Sequence, residues 1–277
     1  MPEQKILELG DARGNPNKSP LPVRFEKPGL VTFGMYLLVV LFFVVSLHGA
    51  NVSPGEFVRG WPYLMDLLSE LFPPSLARID RVGLALLETF QMALVGTVFG
   101  VFGSVVLAVL ATRSQSPNRF LQAASRSLIA LFRTVPDLIW ALIFVVAVGL
   151  GPFAGTLAIM VDTMGFCGRF FAEAMEEVDK GPQEALAALG ASRMGIIFSA
   201  VIPGALPSFV NTALFSLEKA TRSSVVLGLV GAGGIGIELK VSMDMFQYAE
   251  ASMIMICIFL LVIAVERCST MLRQRIL

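Results

Sequence analysis

The stretch Glu184-Ala185-Leu186-Ala187-Ala188-Leu189-Gly190, followed after nine residues by Ala200-Val201-Ile202-Pro203, lies between two long apolar runs. Gly181-Pro182 precedes it, and proline is favoured in the first turn of a helix, where its missing N–H is not needed. Gln183 to Leu189 are good helix formers. Gly190 suits the left-handed position that ends a helix, and Ser192 can cap the next one, which starts near Arg193. The expectation is a two-turn helix, a sharp bend, and a helix that enters the following apolar run. Ala185, Ala187 and Ala188 keep the short helix slim, and Leu186 and Leu189 give it an apolar edge. It is shaped either to enter a groove on a partner or simply to turn the chain between two spans.

The flanking composition says what kind of chain this is. Of 277 residues 55% are hydrophobic and 15% charged, with mean hydropathy +0.75. A soluble chain carries about a quarter charged residues. About 20 apolar residues cross a 30 Å hydrocarbon core, and six segments qualify: 29–48, 83–111, 127–150, 153–173, 196–217 and 250–268. The expected fold is therefore an all-α integral membrane protein with six transmembrane helices. Residues 1–28 form a polar, proline-bearing tail, residues 29–82 a first span plus an outer helix, and residues 83–275 the core. The 21 basic and 21 acidic residues cancel, so no global field points to nucleic acid.

Lysine and arginine mark the cytoplasmic side of membrane chains. Lys5, Arg13, Lys18, Arg24 and Lys27 lie in the tail, Arg113, Arg119 and Arg126 after the second span, Lys180 and Arg193 after the fourth, and Arg267, Arg273 and Arg275 at the end. Both termini and the 184–203 segment are then cytoplasmic. On this count Glu218, Lys219, Arg222 and Lys240 fall on the outer side. Residues 53–72 place Phe57, Trp61, Leu64, Leu68 and Phe72 on one helical face, either along the outer interface or packed as an ordinary external helix.

The 184–203 segment resembles the "E-A-A, three residues, G, nine residues, I-x-L-P" loop of bacterial ABC-importer permeases. Glu184, Ala185, Gly190 and Pro203 hold, whereas Leu186 stands for the second alanine, Ala200 for isoleucine and Ile202 for leucine. Phe171 to Pro182, Arg133-Thr134-Val135-Pro136-Asp137-Leu138-Ile139-Trp140 and Val226 to Gly236 look like the permeases of phosphonate and phosphite importers, and methionine importers share part of the glycine-rich stretch. The resemblance implies a type I ABC-importer permease fold with a cytoplasmic coupling helix at Glu184, Ala185, Leu186, Leu189 and Gly190. It implies a second copy of the permease, two ATPase subunits, an external substrate-binding protein and a bacterial inner-membrane location. ATP and magnesium would belong to the ATPase, and this chain would bind no cofactor and catalyse no covalent chemistry.

Several residues are candidates for the solute pathway. Gly231-Ala232-Gly233-Gly234-Ile235-Gly236 spells a dinucleotide fingerprint, but the βαβ context it needs is missing. A re-entrant segment on the outer side fits better, either as a gate whose free N–H groups face an anion or as flexible packing. Arg222, beside Ser223 and Ser224, suits a phosphonate through its planar fork or pairs with Glu218. Asp162 falls near mid-membrane, where a charge needs a partner, such as Arg133 or a hydroxyl. Arg133 and Asp137 flank Pro136 and form a local ion pair, or Arg133 faces a phosphate group. In the second span Gly96, Gly100, Ser104 and Ala108 recur every four residues, a face that admits a close helix, within one chain or between subunits.

Overall fold

The computed structural model describes residues 29–51 and 53–276; the 1–28 tail lies outside them. Among the described residues the chain is helical, and its contacts divide it at Pro62 and Tyr63 into two units. The first holds α1 (Leu30–Gly49) and the start of α2 (Pro54–Glu70). No residue of α1 is buried, as expected of an apolar helix whose surface meets lipid. α2 is amphipathic, and its apolar residues fall on one face.

The second unit continues with α3 (Ile79–Ala111), α4 (Arg119–Thr134), α5 (Asp137–Val148), α6 (Pro152–Glu177), α7 (Lys180–Ala188) and α8 (Arg193–Ile196). A π-helical turn over Ile197–Val201 joins α8 to α9 (Ile202–Leu229), and α10 (Ile235–Asp244) and α11 (Tyr248–Ile276) follow. Among the described residues, four helices are long and apolar enough to cross a membrane, namely α1, α3, α8–α9 taken together, and α11. The bent pair α4–α5 raises the number to five.

Two features depart from the sequence expectation. The segment 127–150 is not one span, because α4 and α5 meet at 93°. Pro136 cannot continue a helix and pushes the residue before it into extended backbone; Val135 sits at φ −80°, ψ 121°. The other is α6, which has the length of a span but not its hydropathy, since it carries Asp162, Arg169, Glu173, Glu176 and Glu177. It sits at the centre of the unit, packed on α3, α4, α5 and α9. A helix surrounded by protein can hold polar groups that lipid would reject.

The α3–α6 crossing is the most extensive in the chain, and its cause is legible. A side chain at Gly96 would come within 2.8 Å of Ile159, and one at Gly100 within 2.5 Å of Thr163. Ser104 Oγ donates to the carbonyls of Gly100 at 2.7 Å and Thr163 at 3.3 Å, and Ala108 is fully buried. The small-residue face thus packs within one chain. Between apolar helices in lipid the gain comes from such close contact rather than from the hydrophobic effect. Lower down, Phe171 on α6 stacks on Phe209 of α9 with ring centroids 4.2 Å apart.

Candidate coupling segment and substrate pathway

The 180–196 region folds from local signals. The Asp179 side chain accepts from the Gly181 amide at 3.0 Å, so α7 opens with an acidic cap two residues earlier than the proline alone suggests. It closes in a paired C-terminal motif: the Gly190 amide donates to Ala187 O and the Ala191 amide to Leu186 O, both at 3.0 Å. Gly190 has φ +79°, the left-handed geometry that glycine adopts without penalty. Ser192 then caps α8 by accepting from the Gly195 amide at 3.2 Å.

This helix–bend–helix unit is tied down on one side only. Gln115 Nε2 donates to Gln183 Oε1 at 3.3 Å, and Arg193 donates to the Ser116 carbonyl at 3.0 Å. Leu186 is half-buried toward the chain, while Glu184, Ala185, Ala187, Ala188 and Leu189 are exposed. The expected apolar edge is therefore split: Leu186 anchors the helix and Leu189, 84% exposed, points away. Most of the acidic residues just before and at the start of α7 are engaged within the chain. Glu173 pairs with Arg169, Glu176 with Arg126, and Asp179 caps α7.

At the opposite end of the unit the glycine-rich turn is packed and satisfied. Gly151 donates to the Gly231 carbonyl at 3.0 Å, which joins the start of α6 to the end of α9. Gly231, Gly233 and Gly234 have φ of +89°, +89° and +75°. The Gly234 amide donates to Glu88 Oε1 at 2.9 Å and the Ile235 amide to Thr89 Oγ1 at 2.7 Å. Gly236 crosses Gly228 so closely that a side chain on Gly228 would lie 2.7 Å from the Gly236 Cα. Two α3 side chains thus already occupy the Gly234 and Ile235 amides, so these two are not free to face an anion. Glu88 and Thr89 had no local signal in the sequence, since their partners lie 146 residues away.

The charged groups also fall differently from expectation. α9 runs unbroken to Leu229, so Glu218, Lys219 and Arg222 lie inside a helix rather than in an outer loop. Asp162 pairs with Lys219, not Arg133, with both carboxylate oxygens 2.8 Å from Nζ. Asp162 lies ten residues into α6 and Lys219 ten residues before the end of α9, each about 15 Å from the joined turn. Glu218 pairs with Arg273 of α11, so it is unavailable to Arg222. Arg222 is exposed, Ser223 half-buried and Ser224 buried. Arg133 and Asp137 form no ion pair among the described residues. The Asp137 carboxylate instead accepts from the Leu138 amide at 2.9 Å at the start of α5, and Arg133 lines a cavity of about 540 Å³ between α4 and α6. Lys219 escaped sequence reasoning because the charge at 218–219 ended the apolar window; the absence of any glycine or proline from 208 to 227 was the available sign that the helix continues.

The described residues thus combine side-chain-capped helix starts, a packed face of small residues and the Asp162–Lys219 pair between two central helices. The chain belongs to the binding-protein-dependent transport system inner membrane component family, whose model matches residues 81–276. It is 37% identical over 244 residues to the phosphite transport system permease protein PtxC of Stutzerimonas stutzeri, covering 88% of this chain and 86% of that one. It is 36% identical over 221 residues to the phosphate-import permease protein PhnE of Mycolicibacterium smegmatis, covering 80% of this chain and 41% of that one. Among solved structures, an inward-facing form of the MetNI methionine ABC transporter matches with TM-score 0.65 and 25% identity over 73% of this chain and 99% of that one.

Proposed function

We propose that this chain is the permease subunit of an ATP-driven importer that carries phosphite or a phosphonate into the cell. The observation that carries the substrate reading is the similarity to a phosphite permease along 88% of the chain. Six crossings then come from α1, α3, the broken pair α4–α5, α6, α8–α9 and α11, with both termini and α7 in the cytoplasm. The arginines and lysines near residues 113–126 and 180–193 support that orientation. α7 is the coupling helix. Its exposed face, Glu184 and Ala185 with the capping Leu189, enters a groove on an ATPase, while Leu186, Gln183 and Arg193 fasten it to the bundle. The bend at Gly190 and the cap at Ser192 transmit displacement of α7 to α9. A second permease copy and an external binding protein complete the assembly, and ATP and magnesium stay on the ATPase.

The pathway runs beside α9. Arg222 sits about 10 Å below the glycine-rich turn, exposed and without an acidic partner among the described residues. A bare guanidinium at that depth does not face hydrocarbon; it faces a watery path, and its fork suits a phosphorus oxyanion. Gly231, Gly233, Gly234 and Gly236 hold the rigid outer turn beside that path. The competing solute is methionine, favoured by 30% identity over 125 residues to the Bacillus subtilis methionine import permease MetP.

The decisive experiment purifies the permease with its ATPase and binding protein and measures ATP hydrolysis and vesicle uptake with phosphite, methylphosphonate, phosphate and methionine. Stimulation by a phosphorus oxyanion and not by methionine is expected. Stimulation by methionine alone overturns the substrate, and absence of any bound ATPase overturns the importer.

A further inference from the structure

The Asp162–Lys219 pair has no evident structural purpose. An ion pair within a bundle gives little net stability compared with apolar residues of the same volume, and α6 and α9 are already joined by Phe166 on Phe215 and by Ser216 Oγ donating to Thr163 Oγ1 at 3.4 Å. The pair is also lopsided. The Asp162 side chain is 16% exposed and that of Lys219 36%, so the carboxylate is enclosed while the ammonium is reachable from the open side. Phe166 backs it, with Nζ 5.4 Å from the ring centroid. Arg222 stands three residues further along α9, and side chains three apart share a helix face about 5–6 Å from each other. The nearest other acid on α9, Glu218, is engaged by Arg273. The accessible face of α9 thus carries two cations in a row, of which only the deeper has an internal anion.

We infer that Lys219 is a second substrate-recognising cation and that Asp162 is a resident anion which the transported oxyanion displaces from it. This rests on the oxyanion reading given above. In the empty protein Asp162 neutralises Lys219. When an oxyanion arrives from Arg222, its oxygens take the place of the carboxylate on Nζ. Asp162 then competes for the same ammonium and keeps the site from holding the anion too tightly to release it. Selectivity follows: a cation is repelled at this point and a zwitterion brings its own ammonium toward two cations, whereas a compact anion gains a charge-assisted contact without that penalty.

The test compares Asp162→Asn, Lys219→Gln, Lys219→Arg and the double variant Asp162→Asn/Lys219→Gln in the full complex in vesicles, with assembly checked by ATPase co-purification. Phosphite uptake is read as KM and maximal rate. Asp162→Asn is expected to lower KM for phosphite, because the competitor is gone, and to slow turnover through delayed release. Lys219→Gln should raise KM by roughly tenfold to a hundredfold, the range expected for one lost charge-assisted contact, and Lys219→Arg should restore most of it. The double variant should stay as poor as Lys219→Gln. If the pair is only structural, the two single variants suffer alike and the double variant recovers, and that pattern overturns the inference. Phosphite transport by Lys219→Gln with unchanged KM overturns it too. A wild-type complex that moves methionine and no oxyanion instead rejects the substrate reading, whatever the variants do.

Discussion

Thr89 Oγ1 accepts a hydrogen bond from the Ile235 amide at 2.7 Å, linking α3 to the first turn of α10 across 146 residues. Both residues are fully buried. Replacing Thr89 with valine keeps the shape and removes the acceptor, leaving a buried N–H without a partner at a cost of about 1–3 kcal/mol. A lower melting temperature of the detergent-solubilised complex is expected for Thr89→Val, with Thr89→Ser close to wild type. Equal stability of Thr89→Val and wild type would show that the cap is dispensable.

The α3–α6 crossing makes a sharper contrast. Gly100→Ala pushes a methyl group into Thr163, whereas Gly83→Ala on the same helix meets nothing within 4 Å. Overpacking of this kind destabilises by roughly 1–3 kcal/mol. Gly100→Ala should therefore reduce the yield and thermal stability of the purified permease, and Gly83→Ala should leave both unchanged.

At the other end, Gly190→Ala places a side chain at φ +79°, a strain of roughly 1–2 kcal/mol. The expected result is a folded permease that still binds its ATPase but shows weaker substrate-stimulated hydrolysis, because the bend between α7 and α8 is altered. A variant with wild-type coupling would show that the bend carries no motion.

Leu189, the residue that caps the C-terminus of α7, is 84% exposed. On the coupling reading, Leu189→Asp weakens ATPase binding by at least about tenfold, as for a central apolar anchor lost from an interface, without lowering the melting temperature of the isolated permease. Unchanged co-purification would move the docking surface elsewhere.

Arg222→Ala should abolish phosphite uptake by an assembled complex while sparing its assembly. Normal uptake removes Arg222 from the pathway.

What the sequence made legible was local. Gly190, Ser192 and the Gly96, Gly100, Ser104 and Ala108 face were each read from neighbouring residues, and the structure bears out their geometry. The 93° break was half-legible: Pro136 was noted, but a hydropathy window averages across one residue. The extent of α9 was missed for a related reason, since Glu218 and Lys219 end an apolar window without ending a helix. Long-range partnerships, Glu88 with Gly234, Asp162 with Lys219 and Glu218 with Arg273, are set by how the helices cross, and no residue near either partner announces them.

The π-helical turn at Ile197–Val201 has its own mechanical result. It adds a residue to the winding, so the helix faces on its two sides are offset by about 100°. Arg193 borders the groove beside α7, and Ile196 lines that groove while also packing against the core that holds Ala205 and Phe209. On the coupling reading, a push on α7 would therefore reach α9 as torsion as well as thrust.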